Sequence, residues 1–188
     1  SGAVVLQAQY DRLDDRYFPS SGSLADIEYA NYRDELGSDD EFEQIRATAF
    51  HAWTVDRHTY MGGLRYNTTL DDDAPVQNEF SAGGFTQLSG FKENERNGQH
   101  FGMVFGGYRY KFSESALLPA YIGTTLEYGN AVADRDDIFS DGIFNGSLYF
   151  GYRSPLGPVY IGYGYEEDGG GNYFLRVGNV FGRSSISR

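Results

Sequence analysis

Cysteine is absent from all 188 residues, so neither a disulfide framework nor a thiolate metal site is available. Its lack also suits a chain that crosses an oxidising periplasm. Positive charge is scarce. Only 15 Lys and Arg stand against 27 Asp and Glu, and the net charge of −12 argues against nucleic acid as a partner, since phosphate binding relies on basic patches. Long apolar runs are missing as well: no segment approaches the ~20 residues of a membrane-spanning helix. No secretory leader is recognisable, and Ser1-Gly2 reads as an expression remnant. Charge alone would suit a soluble acidic domain.

The abundances change that reading. The chain has 16 Tyr, 14 Phe and 25 Gly, but only five Pro. Apolar residues on one strand face and polar ones on the other give a hydrophilic average even in a membrane barrel, and the mean hydropathy here is −0.51. Runs of alternating side chains bounded by turn residues give nine candidate strands. These are Val4–Leu13, Leu24–Arg33, Phe42–Val55, His58–Thr69, His100–Phe112, Ala120–Ala131, Ile143–Arg153, Pro158–Glu166 and Tyr173–Phe181. Most run 9–14 residues, whereas a strand of a soluble protein has about 5–6 and a tilted membrane strand about 9–11.

Connections and faces point the same way. The links at Val55-Asp56-Arg57-His58, Gly37-Ser38-Asp39-Asp40 and Arg153-Ser154-Pro155-Leu156-Gly157-Pro158 are short, whereas 71–99 and 133–142 are long and polar. Short turns on one side and long loops on the other describe an outer-membrane barrel. Ile161, Tyr163 and Tyr165 share one face opposite Gly162 and Gly164; Tyr173, Leu175, Val177 and Phe181 share another opposite Arg176 and Gly178. The expected fold is therefore all-β, an antiparallel transmembrane β-barrel of about eight strands per chain, or half of a barrel of about sixteen. Residues 3–181 form the barrel domain, and 182–188 are a tail, native or added for expression.

Three segments in order resemble a known family. Phe80-Ser81-Ala82-Gly83-Gly84-Phe85-Thr86-Gln87-Leu88-Ser89-Gly90-Phe91 resembles the long-loop signature of outer-membrane assembly and two-partner-secretion barrels. Tyr10-Asp11-Arg12-Leu13-Asp14, with Tyr17-Phe18-Pro19 and Gly22, resembles a strand-turn segment upstream of it. Ser154-Pro155-Leu156-Gly157-Pro158, then Leu175-Arg176-Val177-Gly178-Asn179-Val180-Phe181, resembles the last turn and terminal strand. Order and spacing match the second half of such a barrel. The assembly and secretion members carry an arginine before the loop glycine, which pairs with an acidic residue of the barrel wall; Ser89 stands there in this chain. Leu-Ser-Gly-aromatic resembles instead the patatin-like outer-membrane proteins of type V secretion, subtype d, in which a lipase passenger precedes the barrel.

That resemblance implies an anchor or translocator in the outer membrane of a Gram-negative bacterium, and not an enzyme in this chain. Gly83, Gly84, Leu88, Ser89, Gly90 and Phe91 are expected to fold into the lumen. Leu175, Val177, Gly178 and Phe181 are expected to form the terminal-strand signal read by barrel-assembly machinery. Outer-membrane lipid is the other expected partner, and a homodimer joined at exposed strand edges stays open. The remaining readings are a lipid-modifying barrel enzyme and an assembly or transport pore.

No cofactor or metal is expected. Asp71-Asp72-Asp73 and Asp134-Arg135-Asp136-Asp137 read as solvated loop charges, and no histidine spacing suggests zinc. No G-x-S-x-G elbow occurs. Of the three histidines, His51 is expected to pack in its strand or to hydrogen-bond in the lumen, and His58 to be a solvated turn residue; His100 lies close enough to Ser89 in sequence to be tested first. Arg33, Arg46, Arg65, Arg109 and Arg176, interleaved with Glu28, Glu43 and Glu127, are expected to face the lumen and pair with carboxylates, except those near strand ends, because an arginine facing lipid costs about 2–4 kcal/mol at mid-membrane.

Overall fold

The computed structural model describes residues 2–33, 40–113, 119–154 and 157–178. Alternation of apolar and polar side chains folds into nine long antiparallel strands, each paired with its neighbours in chain order. They are β1 (Ala3–Asp11), β2 (Gly22–Tyr32), β3 (Phe42–Val55), β4 (His58–Leu70), β7 (His100–Ser113), β8 (Ala120–Val132), β9 (Ile143–Ser154), β10 (Gly157–Glu166) and β11 (Gly171–Val177). A small hairpin, β5 (Phe80–Ala82) with β6 (Arg96–Gly98), sits within the link between β4 and β7. A four-residue helix, α1 (Asp137–Ser140), lies between β8 and β9.

All nine candidate strands occur, including the first, so the count need not fall to eight. Among the described residues β1 pairs only with β2 and β11 only with β10, and the sheet keeps two edges. Phe181, the 182–188 tail, residues 37–39 of the Gly37–Asp40 turn and residues 155–156 of the Ser154–Pro158 turn lie outside the described residues.

One sheet face is lined by exposed apolar side chains: Ile27, Leu64, Val104, Leu126, Leu148 and Ile161 cross it strand by strand. Rings gather towards both ends of this face. Trp53, Tyr60, Tyr108 and Phe150 lie near one end, and Phe144, Tyr165 and Tyr173 near the other. An apolar band between aromatic girdles is the lipid-facing surface of a barrel. Among the described residues no helix is long and apolar enough to cross a membrane.

The opposite face curls around two buried clusters. Leu24, Phe50, Met61, Tyr121, Tyr149 and Tyr160 of the wall close on Phe18 and Phe85 from two loops. Phe101 and Met103 of β7 pack against Phe80 and Leu88. Links 12–21 and 56–57 lie at one end, and 71–99 and 133–142 at the other. The short-turn end is the periplasmic one. Loop 133–142, expected to be long and polar with solvated charges, also holds α1, with Ile138 buried.

Candidate functional site

The 71–99 loop enters the concave side of the sheet, and its tip is the most enclosed part of the molecule. Leu88 and Ser89 are each 0% exposed. Gly83 and Gly84 both adopt positive φ, 122° and 95°, and a Cβ at Gly83 would lie 2.0 Å from the Lys92 carbonyl oxygen. Only glycine accepts that path without strain. Thr86 and Leu88 are left-handed as well, a conformation that costs of order 1–3 kcal/mol for such residues and persists where the surroundings enforce it.

The enforcing groups come from the wall. Ser89 donates its backbone N–H to Glu127 Oε2 at 2.7 Å and its hydroxyl to Glu127 Oε1 at 2.6 Å. Thr125 donates to the same carboxylate at 2.8 Å and shares a 2.7 Å hydrogen bond with Ser147. Gly90 N–H donates to Asn145 Oδ1 at 3.1 Å. The loop backbone lies directly on β10, since a Cβ at Gly164 would fall 1.8 Å from the Ser89 carbonyl oxygen. Around the tip, Phe85 stacks on Phe174 at 4.5 Å and meets Tyr149 edge-on at 4.9 Å. Phe91 is half-buried beneath the Arg96 guanidinium at 4.8 Å. A further ion pair joins Glu93 to Arg176 of β11.

Ser89 thus occupies the wall carboxylate with hydrogen bonds where a loop arginine would supply charge. Arg65 of β4 interacts with Glu127 electrostatically. Sequence reasoning named Ser89 and Glu127 separately but could not join them, because the contact depends on strand register.

A second loop closes the periplasmic end. In segment 12–21, Phe18 stacks on Tyr121 at 4.6 Å. Tyr160 donates to the Tyr17 carbonyl at 2.6 Å, and Arg109 to the Pro19 carbonyl at 2.8 Å. Arg153 pairs with Asp15. Partial burial pushes the Asp15 carboxyl up, but the Phe18 amide, Arg153 and the Tyr17 amide outweigh it and hold its pKa below the usual carboxylate range. The two loops meet through Phe18, Tyr160 and Phe85, with rings 5.1 and 5.4 Å apart.

Several single-residue expectations change. His100 and Ser89 do not meet: His100 Nδ1 bonds Thr68 at 2.7 Å, while the Ser89 hydroxyl is on Glu127. His58 is not a free turn residue, because Nδ1 bonds the Tyr108 hydroxyl at 2.7 Å. His51 lies on the outer face, bonded to Ser23 at 2.8 Å and stacked on Trp53. Arg46 does pair with Glu28, at 2.9 Å. Arg33, just past the end of β2, bonds Asn31, as the exception for strand ends allows, and Glu43 accepts from Asn31. Arg109 has backbone carbonyls and ring faces for partners instead of a carboxylate.

Asp71, Asp72, Asp73, Asp134, Asp136 and Asp137 line one hollow at the extracellular rim with His100 and Arg135. Among the described residues no three metal-ligating side chains are grouped to hold an ion. Gly178 follows β11 with φ 112°, and Leu175 and Val177 face outward.

The family model of the Omp85 superfamily domain matches residues 3–186. Among solved structures, the chain is similar to BamA from Haemophilus ducreyi lacking POTRA domains 1–3, with 15% identity and a TM-score of 0.72. The match covers 92% of this chain and 41% of that one. No curated protein matches.

Proposed function

Because this chain belongs to the Omp85 superfamily, and is an outer-membrane β-barrel of a Gram-negative bacterium, we propose that it is the anchor or translocator of a patatin-like surface or secreted protein. The observation that carries this is the loop tip. In Leu88-Ser89-Gly90-Phe91, Ser89 is hydrogen-bonded to Glu127 of the wall, and none of the four residues is an arginine. Two loops fill the concave side with packed rings, as suits an anchor whose cargo is already attached to it. The barrel domain is residues 3–181, followed by the 182–188 tail.

In this reading the barrel has no catalytic role, and any acyl-ester hydrolysis belongs to a passenger encoded upstream. Its partners are outer-membrane lipid and, during insertion, assembly machinery that reads Leu175, Val177, Gly178 and Phe181. Two copies could also join through the edges of β1 and β11. The second reading is an assembly or transport pore, which the fold shared with BamA favours.

The test uses the full gene product. Esterase activity in the intact protein that is lost when an upstream lipase-like segment is deleted, with the barrel still inserted, supports the anchor. A product with no hydrolase segment, whose loss depletes other outer-membrane proteins, supports the pore.

A further inference from the structure

Register aligns one lumen-facing row across four strands: Thr59 on β4, Arg109 on β7, Gly123 on β8 and Tyr149 on β9. Arg109 and Tyr149 are each 1% exposed. Arg109 Nη2 reaches the Phe18 and Pro19 carbonyls at 3.3 and 2.8 Å, and the guanidinium faces the Tyr121 ring at 4.8 Å. Its Nε and Nη1, and the Tyr149 hydroxyl, have no hydrogen-bond partner among the described residues. Gly123 explains why these groups share a locality. A Cβ there would lie 2.5 Å from the Tyr149 hydroxyl oxygen, so the hydroxyl lies over the residue that pairs with Arg109.

A fully buried cation is expensive unless paired. Carbonyls and ring faces supply only partial negative charge, and Asp15, the carboxylate of this cluster, is engaged by Arg153. We propose that Arg109 and Tyr149 form a binding site for a small monovalent anion of chloride size, which accepts from Arg109 Nε–H and from the Tyr149 hydroxyl. Water would satisfy the same donors but leave the charge uncompensated. The bound anion braces the 12–21 segment, because the same guanidinium holds that segment's backbone. The inference does not depend on the nature of any passenger.

The test is thermal unfolding of the intact protein in detergent micelles, with chloride exchanged for gluconate at constant ionic strength. In chloride the wild-type midpoint should rise by roughly 5–10 °C, the shift expected at about a hundredfold excess over Kd. Arg109→Met should abolish the shift. Should that variant not fold, Tyr149→Phe keeps the cation and the ring, and should lose at least half of the shift. A bromide soak should place an anomalous peak between the two side chains. A wild-type midpoint equal in both salts, a full shift in Tyr149→Phe, or water density without bromide there would each overturn the site.

Discussion

Glu127 decides whether the loop tip stays in place, since it accepts two hydrogen bonds from Ser89 and one from Thr125. Removing one member of a buried charged network costs about 3–5 kcal/mol. Glu127→Ala should lower the unfolding free energy by that order and expose the loop to trypsin at Lys92 and Arg96, whereas Glu127→Gln should act in the same direction but less. Unchanged protease resistance in Glu127→Ala would count against the lock. Gly164→Ala tests the same seat from the wall. Its methyl group would collide with the Ser89 carbonyl oxygen, so the loop should become cleavable although no hydrogen bond has been removed.

Asp15 adds a pH dependence at the other end. Its folded-state pKa is depressed, so its contribution is present above the unfolded value, about 3.9, and fades as pH falls through the lower folded value. Cleavage within segment 12–21 should therefore rise only below about pH 4, and Asp15→Asn should be loosened already at neutral pH.

Strands read as wholes make a sharper statement about the surroundings. Outward residues Leu126 and Leu148 occupy the middle of their strands and are 63% and 61% exposed. Arginine at either position should cost about 2–4 kcal/mol in a bilayer, read as a lower unfolding midpoint in lipid vesicles. An equal midpoint for Leu126→Arg and wild type would contradict a lipid-facing β8.

The same alternation made these strands legible in the sequence: Phe42–Val55 was bounded correctly at both ends, and Ile143–Arg153 to within one residue. The hairpin of Phe80–Ala82 with Arg96–Gly98 was not legible, because three-residue strands carry no period. Helix Asp137–Ser140 escaped too. Its acidic run looks like loop, and it is held by Ile138, whose burial depends on tertiary packing. The loop glycines signalled an unusual backbone path, but not its partner. Likewise the arginines signalled the lumen, while Arg109's lack of a carboxylate could appear only once register was known.

At the scale of the whole molecule, the central claim is a sheet with lipid on one side and a loop-filled lumen on the other. The absence of cysteine provides a clean background for testing it. Single cysteines can be placed along β8 at Ile122, Thr124 and Leu126 on the outer face, and at Tyr121 and Ala131 on the inner face. Each is spin-labelled in the intact protein in bilayers, and its collisions with oxygen and with a water-soluble nickel complex are measured. The account predicts a period of two, with high oxygen and low nickel accessibility at the outer positions and low accessibility to both at the inner ones. High nickel accessibility at Ile122, Thr124 and Leu126 would contradict it.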